Sequence, residues 1–352
     1  MDHRIDKVRS LLRSKDIPAL LVSKKENQYY LFGLKSSNCY IVITDEKSYL
    51  LTDFRYVEAA NDLSGSFEVV LINNEYTVFN FLQELAPSKL ALEEKTVTLN
   101  FYKELKNSVE SSLISGDGII EEIRTVKDEN ELTAISKAAS LNDLCFEHIL
   151  NYLRPGISEL EIALEIEMFL KKNGAERLAF DTICVSGVRT SLPHGQPSEK
   201  LLKRGELVTL DFGCVVDGYC SDMTRTVAIG NISEEQREIY NIVLEAQKTG
   251  CKAARAGLSC KELDKLVRDF ISDAGFGGEF GHGTGHGVGL EVHEAPTLNP
   301  TSDDILVENA VITIEPGIYL PKKFGVRIED LAIITSSSII NRVRSNKELI
   351  II

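Results

Sequence analysis

Positive charge is what this 352-residue chain has too little of: 39 lysines and arginines face 53 aspartates and glutamates, a formal net charge of −14. That balance argues against nucleic acid or an anionic membrane surface as a partner, since both select basic patches. It suits a site that gathers carboxylates around cations. Paired cysteines are also missing. The seven cysteines are odd in number, scattered from Cys39 to Cys260, and contain no CxxC, a pattern of free thiols in a reducing cytosol rather than a disulfide framework. No apolar run approaches the ~20 residues of a membrane-spanning helix. The opening "MDHRIDKVRSLLRSKDIPAL" has charges every few residues and no apolar stretch of the kind a signal peptide needs. A cytoplasmic protein is expected. The apolar fraction of 43% is ordinary for a globular chain, and the length suits two domains of roughly 100–200 residues each.

Histidine is scarce too, and its placement is uneven. Three of the six histidines (His282, His286 and His293) fall within "GHGTGHGVGLEVHE", residues 281–294. The glycines at 281, 283, 285, 287 and 289 are expected to allow unusual φ values and close approach of substrate and ions to the backbone. A nucleotide-binding loop is disfavoured, because no strand-to-helix context, phosphate-binding lysine or ribose-binding acid accompanies them. A fourth, His194, stands in the loop "SGVRTSLPHGQP". His3 and His148 lie in helical segments without nearby acids.

The chain alternates in type from its start. A helix near residues 3–15 precedes the apolar runs "PALLVS", "CYIVIT", "KSYLLT" and "FEVVLI". Asp53 reads as the N-cap of a helix "FRYVEAA", and "YTVFNFLQELA" has helical spacing. Residues 1–124 are therefore expected to form a small α/β domain, and residues 125–352, opening with a helix over about 128–152, a second one.

The second part carries an internal repeat. "LRPGISELEIALEIEMFLKKNGA" (153–175) aligns with "ARAGLSCKELDKLVRDFISDAGF" (254–276), each with glycine, a serine N-cap, an amphipathic helix and a glycine stop. The likeness continues in "LVTLDFG" and "VITIEPG", matching Asp211 to Glu315, and in "GYCSD" and "GVRIE", matching Asp222 to Glu329. Two such halves about a pseudo-two-fold axis would bring four carboxylates together.

Local pairing supports this. Asp217-Gly218 favours a type I′ hairpin turn; Val216 then pairs with Tyr219, Asp211 faces Thr224, and Asp222 is its diagonal neighbour on the same face. Like charges so close favour protonation or recruitment of a cation. Structural alternatives are an Asp222–Arg225 bridge, Asp211 capping a turn, and Arg327 as partner of Glu329, an acid expected inside an apolar strand. Four carboxylates and one imidazole form a hard, oxygen-rich set that suits Mn²⁺ or a similar divalent ion, with Co²⁺ or Zn²⁺ as alternatives.

The segments "SLPHG", "VTLDFGCVVDGYCSDMTRT", "GHGTGHGVGLEVHE", "ITIEPGIY" and "GVRIED" together resemble the metal-dependent pita-bread peptidases, specifically the X-Pro branch of aminopeptidase P and prolidase. The resemblance covers essentially the whole chain. It implies a small creatinase-type N-terminal α/β domain followed by a pseudo-two-fold α/β (α+β) pita-bread domain. It implies Asp211, Asp222, His286, Glu315 and Glu329 as ligands of two divalent ions, with Asp222 and Glu329 bridging and Glu315 also passing protons. His194 and His293 match histidines that contact substrate or the tetrahedral intermediate, and His282 and Arg327 match supporting residues. The implied reaction is hydrolysis, by a metal-bridging hydroxide, of the bond between an N-terminal residue and a following proline, by a homodimer. One departure stands out. Where some prolidases have an arginine just after the "HExP" element, this chain has Thr297 after His293-Glu294-Ala295-Pro296, which weakens a strict dipeptidase reading. Methionine aminopeptidases share the ligand set and are the nearest alternative; a metal-free binding protein on the same fold is another. A cysteine hydrolase using Cys214 or Cys220 is disfavoured, because nearby carboxylates suppress a thiolate.

Overall fold

Burial of both faces of the first apolar run sets the architecture of the N-terminal part. In the computed structural model, which describes residues 2–352, β1 (Ala19–Val22) has all four side chains buried, as suits a strand inside a sheet covered on both faces. It is flanked by β2 (Cys39–Thr44), β3 (Ser48–Thr52) and β4 (Phe67–Leu71) on one side, and by β5 (Lys89–Leu92) and β6 (Ser112–Ser115) on the other. The strand order is β4-β3-β2-β1-β5-β6. Pairs β1–β2 and β2–β3 are antiparallel and the rest parallel, so the sheet is mixed. Helices α1 (Asp2–Ser14), α2 (Lys25–Phe32), α3 (Val57–Leu63), α4 (Val78–Leu85), α5 (Leu99–Ser108) and α6 (Ile119–Thr125) connect and cover it. Leu21, Val42, Leu51, Leu82, Leu90 and Leu105 form one core between these layers.

One local expectation fails here. Asp53 does not cap α3; that helix starts at Val57 with Tyr56 at its N-cap. Asp53 instead accepts from the Arg55 backbone N–H (3.0 Å) and pairs with the Arg55 guanidinium (2.6 Å). A short polar side chain that finds donors two residues on closes a turn in place of a helix.

The chain divides into two compact units, the first ending at Arg124 and the second running from Thr125 to Ile352. The second opens with α7 (Glu129–Tyr152), capped by Asp128 in a reciprocal box with Glu131. Next, α8 (Glu159–Lys172) and the later α10 (Cys260–Asp273) start from the same device: Ser158 with Glu161, and Ser259 with Glu262. The repeated glycines hold left-handed turns at matching places, with φ +88° and +84° at Gly156 and Gly257 and +107° and +93° at Gly174 and Gly275. Side chains there would be strained. Between these helices, α9 (Glu234–Ala253) packs Ile239, Val243 and Leu244 into a core shared with Val267 and Ile271 of α10.

The strands of the first half are β7 (Arg177–Leu178), β8 (Ile183–Ser186), β9 (Glu206–Phe212), β10 (Cys214–Val216), β11 (Tyr219–Cys220) and β12 (Met223–Ile229). The hairpin has the expected register: Val216 pairs with Tyr219 and Asp211 with Thr224. Asp217 and Gly218 carry φ of +50° and +83°, as a type I′ turn requires. The ladder breaks at Gly213, where a Cβ would lie 2.0 Å from the Ser221 carbonyl oxygen. Asp222 emerges at that break, just before β12.

The second half repeats the plan with β13 (Gly285–Gly287), β14 (Glu294–Leu298), β15 (Val311–Ile314), β16 (Gly317–Leu320), β17 (Phe324–Arg327), β18 (Asp330–Ile334) and β19 (Ile339–Asn341). Strand β15 pairs with β18, and β16 with β17. Glu315 sits just past the end of β15. Glu329 lies in the break between β17 and β18 rather than inside a strand as expected. The halves meet where β12 runs beside that break. The Glu329 N–H donates to the Thr224 carbonyl (3.1 Å) and the Thr226 hydroxyl to the Arg327 carbonyl (2.9 Å). Among the described residues, no helix is long and apolar enough to cross a membrane.

Candidate metal centre and substrate cavity

Strand ends and ladder breaks, where side chains escape the sheet's own packing, supply the cluster. Asp211 comes from β9, Asp222 from the break before β12, Glu315 from the end of β15 and Glu329 from the break before β18. His286 comes from β13. All five, together with His194, His282, His293 and Arg327, line one cavity of about 740 Å³. Asp222, His286 and Glu329 each bring one donor atom to within 4.8 Å of the others, a spacing one ion can bridge. His286 Nε2 lies 3.3 Å from Glu315 Oε1 and 3.7 Å from Asp222 Oδ2.

The ring orientation of His286 is set from behind. Its Nδ1 lies 3.1 Å from the Gly287 carbonyl oxygen, which can only accept, so Nδ1 carries a proton and Nε2 points into the cluster. The Thr313 hydroxyl donates to Glu315 Oε1 (3.3 Å) and accepts from the His286 N–H (3.1 Å). On the opposite wall the Thr224 hydroxyl donates to Glu329 Oε2 (2.8 Å).

Electrostatics show what the cluster requires. Asp211 and Asp222 are 8% and 5% exposed, and the buried Oδ1 of each has no hydrogen-bond partner among the described residues. Burial pushes the carboxyls of Asp222 and Glu329 well above the usual range; the charge of Asp211 adds to the rise at Asp222, and that of Asp222 at Glu329. Burial also raises Asp211, against the opposing pull of Arg327. Burial alone would lower His286, but the hydrogen bond and charge of Glu315, with the charge of Asp222, raise it to about 9. Glu315 resists burial and is held down to about 2, chiefly by His286. Orphaned, desolvated carboxylate oxygens around one void fit a bound cation, and the oxygen-rich donors fit a hard divalent one.

The structural alternatives resolve elsewhere. Arg225 pairs with Asp330 (2.7 Å), not Asp222. Arg327 does not serve Glu329; it pairs with Asp211 (2.5 Å) and donates to the Tyr319 hydroxyl (2.8 Å). Tyr319 in turn lies 2.9 Å from His282 Nε2. Because burial lowers His282 and raises Tyr319, the Tyr319 O–H donates to a neutral imidazole. Tyr319 was not legible as a site residue: "ITIEPGIY" shows a tyrosine in a strand, and only the fold brings it to Arg327.

His194 and His293 are both exposed into the cavity, unlike His286. Burial and the charge of His286 lower His293, whose ring meets that of His286 edge-on at 4.2 Å. Just beyond, the Glu294 side chain, 4% exposed, pairs with Lys127 (2.9 Å). Phe180, Asp181, Gln196, Thr297 and Asn299 complete the mouth. His148 is absorbed structurally, 2.7 Å from Glu165 and stacked on Phe169.

The glycines of 281–289 act differently from expectation. None has a positive φ. A Cβ at Gly285 would lie 2.1 Å from the Thr313 carbonyl oxygen, and at Gly287 2.2 Å from that of Ala295. Neighbouring backbone crowds Gly283, Gly285 and Gly287, the Glu294 carboxylate crowds Gly289, and of the five only Gly281 faces open space.

With this geometry in place, the sequence profile of metallopeptidase family M24 matches residues 133–336, and that of the creatinase/prolidase N-terminal domain residues 4–126. The chain belongs to metallopeptidase family M24. A Xaa-Pro dipeptidase of Pyrococcus horikoshii is 38% identical over 352 residues, covering 99% of each protein. The solved structure of a Xaa-Pro dipeptidase from Bacillus anthracis is 42% identical, with a TM-score of 0.96 over 99% of each chain. That of an X-Pro aminopeptidase from Thermotoga maritima is 36% identical, with a TM-score of 0.88 over 96% of this chain and 98% of the other. The architecture is that of this M24 branch, a small mixed-sheet α/β domain followed by the pita-bread catalytic domain. Family membership implies metal dependence, and Asp222, His286 and Glu329 form a site with the spacing for an ion.

Proposed function

We propose that this chain is a divalent-metal peptidase that hydrolyses the bond between an N-terminal residue and a following proline, with Xaa-Pro dipeptides as substrates. The observation that carries the reading is the cavity itself: five donors converge there, two of them aspartates with buried, partnerless oxygens. The named relatives supply the proline preference. Asp211, Asp222, His286, Glu315 and Glu329 would hold two ions, Mn²⁺ by the hardness of the set. When bound, these supply Lewis-acid polarisation of the scissile carbonyl and activation of water.

The chain's own groups do the rest. Glu315, ionised throughout the neutral range, accepts a proton at its carboxylate and returns it to the proline nitrogen as the C–N bond breaks. That nitrogen belongs to a tertiary amide without N–H, so a cavity shaped to the ring can select it. His293 and His194 stand at the mouth, where an N–H can meet the charge developing on the carbonyl oxygen. The Arg327–Tyr319–His282 chain fixes the wall beside Asp211.

One observation favours longer peptides as a second reading. Arg327 is the sole lysine or arginine lining the cavity among the described residues, and it is committed to Asp211 and Tyr319. With Thr297 after the "HEAP" element, no lining lysine or arginine among the described residues is left to receive a dipeptide's carboxylate. Mn²⁺-reconstituted protein assayed on Leu-Pro, Leu-Ala, Leu-Pro-Ala and Met-Ala-Ser separates the cases. Cleavage of Leu-Pro but not Leu-Ala supports the proposal. Cleavage of Leu-Pro-Ala alone moves the substrate to longer peptides, and cleavage of the Met-Ala peptide alone refutes the proline preference.

A further inference from the structure

Two buried carboxylates outside the cluster each organise a loop that carries a cavity histidine. Glu159, the first residue of α8, is 0% exposed and accepts five hydrogen bonds. They come from the Ser186 N–H and hydroxyl (2.7 and 2.8 Å), Arg189 Nε (3.0 Å), and the Ser198 N–H and hydroxyl (3.2 and 2.7 Å). Arg189 also donates to the Gln196 carbonyl. These bonds bracket residues 186–198, the loop that carries His194.

In the second half Asp264, one turn into α10, is 1% exposed and accepts four. The Thr284 N–H and hydroxyl donate at 3.0 Å each, and Arg268 donates through Nε and Nη2 at 3.0 Å each. Arg268 then donates to the carbonyls of Phe280 (2.9 Å) and His282 (2.7 Å). The device matches the first: a helix-borne carboxylate, an arginine that reaches a loop carbonyl, and a histidine on that loop facing the cavity. The sequence alignment of the halves does not reveal it, because Glu159 aligns with Cys260, one helical turn short of Asp264.

We infer that Glu159 and Asp264 are positioning residues that set the cavity-side placement of His194 and His282 through the Arg189 and Arg268 arms. The functional part rests on the proposed reading of both histidines as groups of the peptidase site. A fully buried carboxylate saturated by donors has no freedom to tilt, so the loop inherits its geometry from the helix. Small misplacement of a reacting partner costs large factors in rate.

The test uses full-length Zn²⁺-loaded protein with ¹⁵N-labelled histidine, in which six imidazoles are few enough to assign, alongside peptidase assays of Mn²⁺-loaded protein. Glu159→Gln keeps the side chain's size but turns one acceptor into a donor facing donors. It should shift the ring resonances of His194 and leave His282 in place; Asp264→Asn should do the reverse. Each should lower kcat on the cleaved Xaa-Pro peptide by about ten- to a hundredfold, with KM changed less than about threefold. In a His194→Ala background, Glu159→Gln should cost less than about twofold more, because the two act on one element. Should Glu159→Gln fail to fold, Arg189→Met decides, since it removes the arm from Glu159 to Gln196 and leaves the four bonds from Ser186 and Ser198 to Glu159 in place. Unmoved His194 resonances in the folded variants, or an undiminished loss in the His194→Ala background, overturns the inference. Wild-type protein inactive on every Xaa-Pro peptide would refute the proposed function, while the resonance shifts would still decide whether the two acids position the histidines.

Discussion

Asp222 shows how much chemistry one residue can imply when its surroundings are counted. Its Oδ1 is buried without a partner among the described residues, burial and the charges of Asp211 and Glu315 outweigh the pull of His286 at 3.7 Å, and the one candidate counter-ion in the strand, Arg225, is spoken for by Asp330. Such a group stays protonated or takes a cation. The cysteines make the opposite case. Burial dominates the rise of every thiol, to about 11 at Cys214 and about 12 at Cys220, with the charge of Asp222 only a minor contribution at Cys220. The expectation that these thiols are suppressed stands, but desolvation is the main cause. Native protein at pH 8 should therefore show no rapid reaction with Ellman's reagent, and denatured protein should show seven thiols. A rapid stoichiometric reaction at one cysteine in the native state would contradict this placement.

At the scale of elements, what could be read from the sequence was what local rules govern. The serine caps, the left-handed glycines and the Asp-Gly hairpin all follow from one residue type meeting one backbone need, and they set Asp211 opposite Thr224. What could not be read depended on distant partners. Asp53 looked like a cap because only the fold shows Arg55 and Asn38 taking its carboxylate. Arg327 sits two residues before Glu329, yet its guanidinium crosses to Asp211 in the other half. The glycines of 281–289 looked like a concession to ligands, although neighbouring backbone accounts for most of them. Gly285→Ala should therefore destabilise the protein by about 1–3 kcal/mol, since the Thr313 carbonyl cannot yield as a flexible side chain would. Gly281→Ala should be near neutral. Urea denaturation of the two variants checks the contrast, and equal stability would place the steric requirement elsewhere.

For the whole molecule, the two halves build a site that neither could form alone, with four acids in one cavity at an electrostatic cost. The cost has a sign. In the metal-free protein Asp222 and Glu329 are raised above their ordinary values near ~4, and His286 is raised to about 9. A group raised on folding contributes stability below its unfolded pKa and loses it as pH climbs through the folded one. The metal-free fold therefore loses stability as pH climbs above about 4 through the two acids, and from about 6.5 to about 9 through His286. Glu315, held down to about 2, acts oppositely but only in acid below its ordinary pKa. Divalent metal held by these groups would also require them deprotonated. Added Mn²⁺ should thus raise Tm more at pH 8 than at pH 5; an equal or larger rise at pH 5 would contradict the protonation states assigned here.

The claim on which the rest depends is that this acid cluster binds metal and that the bound metal is needed to cleave Xaa-Pro bonds. Its most direct test measures metal content and Leu-Pro and Leu-Pro-Ala turnover on the same Mn²⁺-reconstituted samples of wild-type protein and Asp222→Asn. Two ions per chain and turnover of one or both peptides are expected in the wild type, with metal and turnover lost together in the folded variant. A variant that loses its metal yet keeps wild-type turnover, or a wild type that binds two ions and cleaves neither peptide, would contradict it.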